Sequence, residues 1–343
     1  MCGIAGIVGI RPINLQAVQA MTDQMEHRGP DDAGQWASND GCVVLGHRRL
    51  AIIDPSDAGH QPMQNNDASL VVTYNGEIYN YLELAARLKA EGHEFRSQSD
   101  TEVLLAVYQR WGIKGFGELN GMFAFAMLDS NTNQLVCARD RFGEKPFLYA
   151  ERDGHVAFAS EYKALFCLEG TSPDIRDEQL LTFLNQPRRG LDDDRETVFR
   201  GIKQLLPGEV MRVDVRTLEI KTSRYWDLIP DADAAGLTES DAAGRFRELL
   251  EDAVALRMRS DVAVGSCLSG GLDSSSIVCL NRRHIGPDAS YHVFTGRFPG
   301  TSADEWAFTQ HVVEATNVES HETAPTAAGL ADELSAFVWH NEL

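Results

Sequence analysis

The chain has 343 residues, of which 43% are hydrophobic and 24% charged, and a formal net charge of -20. That length suggests two domains, because single cores stop growing near ~250–300 residues, and that acidity argues against a nucleic-acid groove or an anionic membrane surface as partner. No apolar run reaches the ~18 residues of a spanning helix, no basic signal-peptide region opens the chain, and six cysteines without a C-x-x-C pair fit reduced thiols in a cytoplasmic protein.

The opening MCGIAGIVGI predicts a first strand with Cys2 at its head. LVVTYN, GMFAFAML, QLVCARD and HVAFAS read as further strands bounded by Gly, Asn and Asp. EIYNYLELAARLKAEG predicts a helix ending at Gly92, and SDTEVLLAVYQRWG one ending at Gly112. Strands interleaved with helices imply layered sheets with helical covers. RYWDLIPDADAAGLTESD then shifts to Asp, Ala, Gly and Pro and is the predicted linker. Beyond it, Phe246, Leu249, Leu250, Ala253 and Leu256 recur at helical spacing and predict an amphipathic helix. DVAVGSCL follows as a buried strand, then a glycine turn, then the helix SSSIVCLNRRH. Strand, glycine loop and helix in that order mark a doubly wound nucleotide-binding domain.

Four stretches of the first half offer chemistry. If Met1 is removed, Cys2 carries a thiol and a free α-amine on one residue. The thiol needs a base, and an amine with a pKa of ~7.7–8.0 can take its proton near neutral pH. The same cysteine would also serve as a small buried residue of a first strand. YNGEIYN puts Asn75 and Gly76 at a strand end, where an amide and a bare N–H could stabilise an oxyanion or simply make a turn. GHRRLAIID offers Arg49, whose planar fork suits a carboxylate or a surface ion pair. SQSDTEVLL offers Asp100 for an ammonium, although Ser99 and Glu102 also spell an S-x-x-E capping box.

In the second half, VGSCLSGGLDSSS places Gly270 and Gly271 where backbone N–H groups can approach phosphate. Ser269, Ser274 and Ser275 add hydroxyls, and the helix N-terminus favours negative charge. No lysine follows the glycines, which weakens a γ-phosphoryl transfer reading.

Residues 2 to about 220 resemble the glutamine amidotransferase domain of the N-terminal-nucleophile class, with MCGIAGIVG, HRGPDDAG, GHRRLAIID, YNGEIYN, SDTEVLL, GMFAFAMLD, RDRFGEKPFLY and SEYKAL in family order. SGGLDSS resembles the pyrophosphate loop of enzymes that split ATP into AMP and pyrophosphate. Together they resemble the glutamine-hydrolysing asparagine synthetase family. The resemblance implies an α/β protein with a four-layer αββα domain over residues 2–220. A partial doubly wound α/β nucleotide-binding domain would follow over residues 236–343, expected to be truncated at its C-terminal side.

By the same resemblance Cys2 attacks the glutamine amide, Asn75 and Gly76 form the oxyanion hole, and Arg49 grips the substrate carboxylate. Glu77 and Asp100 take its amino group, and Leu50, Ala51, Ile52 and Ile53 line the pocket. Leu268, Ser269, Gly270, Gly271, Leu272, Asp273, Ser274 and Gly296 would contact ATP, with Asp273 helping to place Mg2+. The expected substrates are glutamine, aspartate and ATP with Mg2+, without an organic prosthetic group, nucleic-acid or membrane partner, in a cytoplasmic enzyme able to form a homodimer. Ammonia would travel shielded from water and displace AMP from an aspartyl adenylate. Two alternatives stay open: an amide-forming relative acting on another carboxylate, and a glutaminase-only or regulatory remnant.

Overall fold

The computed structural model describes residues 1–190 and 194–342; Leu343, the last residue of the second expected domain, lies outside them. The chain forms two compact units, Met1–Leu228 and Ile229–Leu343. In the first, the strands are β1 (Gly3–Gly9), β2 (Asp32–Ala37), β3 (Val43–Arg49), β4 (Met63–Gln64), β5 (Leu70–Ile78) and β6 (Gly121–Asp129). They continue as β7 (Gln134–Arg139), β8 (Leu148–Arg152), β9 (His155–Ala159), β10 (Lys203–Gln204), β11 (Glu209–Asp214) and β12 (Ile220–Arg224). The helices are α1 (Leu15–Asp23), α2 (Tyr81–Ala90), α3 (Asp100–Trp111), α4 (Tyr162–Leu165) and α5 (Asp177–Asn185).

These strands build two antiparallel sheets, ordered β10-β8-β9-β1-β3-β2 and β12-β11-β7-β6-β5-β4. Side-chain alternation along each strand assigns the faces. On β5 and β6, Val72, Tyr74, Phe123, Phe125 and Met127 pack with Leu84, Leu88, Leu104 and Val107 of α2 and α3. The alternate residues Val71, Ala124, Ala126 and Leu128 meet Ile4, Val8, Leu45, Phe147 and Phe158 between the sheets. On the far side, Ala5 and Ile7 pack with Val18, Met21, Tyr162 and Leu165 of α1 and α4. The result is the αββα sandwich, and it puts Cys2 and the end of β5 at one edge of the inter-sheet layer.

Tyr225 and Trp226, expected as linker, stay with this unit. The Tyr225 hydroxyl donates to the Arg139 carbonyl at 2.8 Å, and its ring stacks on Phe123. Aromatic area that finds a core is buried irrespective of the glycine and proline around it.

The second unit carries α6 (Glu239–Arg257), β13 (Ser266–Cys267), α7 (Leu272–Ile285), β14 (His292–Gly296), α8 (Trp306–Thr316), β15 (Glu319–Thr323) and α9 (Ala327–Asn341). Its strands are parallel in the order β13-β14-β15, the helix-connected pattern of a doubly wound fold. Two expectations fail here. The strand foreseen over DVAVGSCL shortens to Ser266–Cys267, because only those residues pair with β14. The α6 stripe is not buried: Phe246 is 67% and Leu249 52% exposed, and Val254 alone on that helix is buried. The buried cluster of this unit consists of Leu268, Val278, Tyr291, Val293 and Val318.

Candidate active site

A pocket of about 120 Å³ opens beside the N-terminus, lined among others by Cys2, Arg49, Leu50, Ile52, Ile53, Asn75, Gly76, Glu77 and Asp100. Residues from four separate stretches thus converge. Ala51, grouped with them from sequence, is not in that wall, and its N–H is taken by Asp31 Oδ2 at 2.8 Å.

The Cys2 sulfur accepts the Leu50 N–H at 3.4 Å and lies 3.7 Å from the Leu50 carbonyl. Burial pushes its thiol above the ordinary value, opposed by the Leu50 N–H and by the N-terminal charge. The sulfur therefore keeps its proton at neutral pH unless a base removes it. The α-amine of Met1 is displaced the other way, lowered chiefly by burial, so it gives up its proton more readily than the thiol. Arg28 Nε donates to the Cys2 carbonyl at 2.8 Å while its Nη1 bonds Glu161 at 2.9 Å, which fixes this end of the chain.

Asn75 and Gly76 lie within β5, not at its end as LVVTYN suggested, because pairing with β6 continues to Ile78↔Gly121. Phe123 faces Gly76 across this ladder. Its carbonyl accepts the Asp140 N–H at 2.7 Å, and its own N–H donates to Asp140 Oδ2 at 3.1 Å. Phe123 is thereby committed to the other side, and Gly76↔Phe123 is a non-hydrogen-bonded pair. Along the free edge of β5, the Tyr74 N–H donates to Gln61 Oε1 at 2.8 Å and the Ile78 N–H to Asp100 Oδ2 at 2.9 Å. The Gly76 N–H lies between them and faces the pocket.

A Cβ at Gly76 would sit 2.3 Å from the Met122 carbonyl, so only glycine permits this approach of β6. The Asn75 side chain is buried, and neither Nδ2 nor Oδ1 has a partner among the described residues. Leaving such groups unpaired costs roughly 1–3 kcal/mol each, and a bound oxyanion would pair the Nδ2 donor.

Arg49 is buried and its guanidinium reaches the carbonyls of Ser56 at 3.1 Å, Ile53 at 3.4 Å and Asp54. It is no surface ion pair; it folds the 50–59 loop around itself and forms one wall. Asp100, the first residue of α3, accepts the Tyr74 hydroxyl at 2.8 Å as well as the Ile78 N–H. Burial raises its carboxyl to about 6. Glu77 is raised too, by burial and then by Asp100.

The capping box does not close. Ser99 Oγ accepts the Thr101 N–H at 3.2 Å, but Glu102 turns to the Arg96 and Ser97 N–H groups at 3.0 and 2.7 Å. Sequence reasoning also missed Gln61, Tyr74 and Lys145, all in the pocket wall. Asp140, whose carboxylate organises the turn that carries Lys145, gives no sign of this in the sequence.

The SGGLDSS loop is built locally. Ser269 Oγ lies 3.0 Å from Ser274 Oγ, and the Gly271 N–H donates to Ser269 Oγ at 3.3 Å. Gly270 has φ +79°, and a Cβ there would meet the Thr309 nitrogen at 2.7 Å. Leu268 is buried, and its carbonyl accepts Thr295 Oγ1 at 2.7 Å. Leu272 and Asp273 are exposed in the first turn of α7. Gly296 ends β14, and a Cβ there would meet nothing within 4 Å. Among the described residues no group of three or more His, Cys, Asp or Glu side chains could hold a metal.

The Cys2 thiol, an unpartnered amide and a strand N–H thus share one pocket on an αββα sandwich. The chain belongs to the glutamine amidotransferase family, whose domain model matches residues 1–226, and residues 245–343 match the asparagine synthase model. It is 34% identical over 363 residues to asparagine synthetase [glutamine-hydrolyzing] 3 of Bacillus subtilis, covering 100% of this chain and 57% of that protein. It is 38% identical over 308 residues to a putative asparagine synthetase [glutamine-hydrolyzing] of Mycobacterium tuberculosis, covering 83% of this chain and 46% of that protein. The chain thus spans about half the length of the curated relatives it matches. Among solved structures, glutamine phosphoribosylpyrophosphate amidotransferase from B. subtilis, complexed with ADP and GMP, aligns with TM-score 0.50 at 18% identity, over 97% of this chain and 70% of that one. That similarity concerns the fold alone.

Proposed function

We propose that the first unit hydrolyses glutamine at Cys2 and that the ammonia serves an ATP-dependent amidation of aspartate to asparagine. The single observation that carries the first half is the unpartnered Asn75 amide beside the Gly76 N–H, in the same pocket as the Cys2 sulfur. In this reading Met1 is removed and the α-amine of Cys2 takes the thiol proton. The sulfur then bonds to the side-chain carbonyl carbon of glutamine, and Asn75 Nδ2 and the Gly76 N–H stabilise the oxyanion. Collapse expels ammonia, protonated by the same amine, and water hydrolyses the thioester to glutamate. Arg49 takes the substrate carboxylate, and Asp100 and Glu77 take its ammonium. Leu50, Ile52 and Ile53 shape the wall.

For the second half, the identity to asparagine synthetases and the loop geometry support ATP as substrate. Leu268, Ser269, Gly270, Gly271, Leu272 and Ser274 would bind its pyrophosphate portion, with Gly296 near the adenosine. Mg2+ is typically held through one or two carboxylates plus phosphate oxygens, so Asp273 fits an ion that arrives with the nucleotide. Aspartate attacking the α-phosphate would expel pyrophosphate and give an acyl-adenylate, from which ammonia would displace AMP to give asparagine. We assign these activities to residues 2–220 and 236–343. No helix among the described residues is long and apolar enough to cross a membrane; the reading is of a cytoplasmic enzyme able to form a homodimer.

Incubation with glutamine should release glutamate, and a diazoketone glutamine mimic should label Cys2. Cys2→Ala should lose both while keeping its circular dichroism spectrum; retained hydrolysis overturns the nucleophile. Adding ATP with aspartate or other carboxylic acids, and asking which amide and whether AMP forms, tests the acceptor.

A further inference from the structure

Tyr74 brings a hydroxyl to the pocket for which the hydrolysis scheme has no use. The residue is buried, and it packs with Val72, Phe123 and Phe125 against Leu84, Leu104 and Val107 of the helical cover. That packing holds the hydroxyl in one place, where it donates to Asp100 Oδ2 at 2.8 Å. The Ile78 N–H donates to the same oxygen at 2.9 Å. Both donors come from β5, the strand that also carries Asn75 and Gly76. A further tie joins β5 to the start of α3. The buried Gln61 amide accepts the Tyr74 N–H at 2.8 Å and donates to Thr101 Oγ1 at 3.3 Å. Tyr74 and Asp100 are thus bonded side chain to side chain, while Gln61 links the backbone of one to the neighbour of the other.

We propose that Tyr74 is a positioning residue of the glutaminase site, whose hydroxyl pins Oδ2 of Asp100 so that Oδ1 is presented to the α-ammonium of glutamine. The inference rests on the glutaminase reading above and adds to it a residue that touches no reacting atom. A carboxylate already held in its binding orientation gives up no rotational freedom when the ligand arrives, so the benefit falls on substrate binding. The same hydrogen bond favours the charged form that an ammonium requires. Around Asp100 the pocket gathers Tyr74 and Glu77 from β5, Cys2 from the head of β1, Arg49 from β3 and Lys145 from the turn after β7. Glu102, on the same helix as Asp100, is engaged with the Arg96 and Ser97 N–H groups. Burial raises Asp100 to about 6, and the Ile78 N–H and the Tyr74 hydroxyl pull it down. Tyr74 itself is pushed well above its ordinary value, by burial and then by Asp100, so it keeps its proton and remains the donor. Loss of the hydroxyl should therefore move the ionisation of Asp100 to higher pH.

The test uses the full chain beginning at Cys2 and the variant Tyr74→Phe, which removes the hydroxyl and keeps the ring in its core. The KM for glutamine should rise about tenfold, as expected for one lost hydrogen bond to a charged group, while kcat holds. The acid limb of kcat/KM should move to higher pH. Glutaramate has the amide and carboxylate of glutamine without the α-amino group, and is read as a competitor of glutamine. Its inhibition constant should not change. In an Asp100→Asn background, Tyr74→Phe should add nothing further, because the hydroxyl acts through that carboxylate. Tyr74→Met, flexible enough to fill the same space, reads the same selective loss should the phenylalanine variant not fold. An unmoved KM and acid limb overturn the proposal. So does a glutaramate constant that weakens as much as the KM, since Tyr74 would then support the pocket in general. If the parent protein makes no glutamate from glutamine, the glutaminase reading fails and this inference with it; if it is active and both ligands respond alike, only the role of Tyr74 fails.

Discussion

In the first unit Phe123, Phe125, Phe147 and Phe158 are enclosed between layers, and the candidate site is walled by Arg49, Asn75 and Asp100, all buried. In the second, five residues make the buried cluster, Phe246, Phe294 and Leu272 are exposed, and the glycine-serine loop is held mostly by bonds among its own members. The contrast separates two ways of making a site. Burial shapes the first, since it raises the Cys2 thiol, lowers the Met1 amine and leaves an amide without a partner. A short motif shapes the second: its backbone turn is complete with little around it.

The comparison can be broken by substitution. Phe125→Ala should cost ~3–5 kcal/mol in denaturant unfolding of the first unit, and Phe246→Ala within about 0.5 kcal/mol; similar losses would erase the distinction. Next in size, Asn75→Leu should lower kcat for glutamine ~10²–10³-fold, as expected for a lost oxyanion donor, while melting no earlier than the parent. A clear fall in Tm would show that the amide is a structural group.

The third prediction concerns pH. Asp100 titrates near 6 in the folded chain, above its ordinary 3.8, so between those values the native state holds a proton that the unfolded state has released. Its contribution to stability is complete below pH ~4 and is lost as pH rises through about 6. Binding of a substrate ammonium needs the ionised form, so kcat/KM for glutamine should fall as pH drops below about 6. Stability and activity thus run in opposite directions across this window. Asp100→Asn keeps an acceptor for the Tyr74 hydroxyl and the Ile78 N–H and should flatten both trends, read by thermal melts and glutamate assays over pH. The smallest effect sharpens the second site. Gly296→Ala should change stability by less than about 0.5 kcal/mol, because a methyl meets nothing within 4 Å. Gly270→Ala, with φ +79° and a 2.7 Å contact, should be clearly destabilising.

Where local chemistry decides conformation, the chain was readable. Ser99 caps α3, which runs Asp100–Trp111 and stops at Gly112, as SDTEVLLAVYQRWG suggested. Pairing partners were not readable: β5 continues through Asn75 and Gly76 because β6 lies alongside it, and Glu102 serves the Arg96–Ser97 loop because that loop folds back onto α3. Lys145 escaped notice because nothing in RFGEKPF signals burial, and lysine is ordinarily exposed. The reverse error occurred at Phe246 and Leu249, whose helical spacing is real but whose face meets no core.

Sequence alone determined the reactive inventory of this protein: a thiol next to the leading amine, an Asn-Gly pair, two carboxylates and a glycine-serine turn, each defined by residue type and immediate neighbours. Tertiary structure decided which of them share a pocket, which lose their hydrogen-bond partners and which are shifted in acidity. Those properties depend on distance through space and on exclusion of water, and chain order encodes neither.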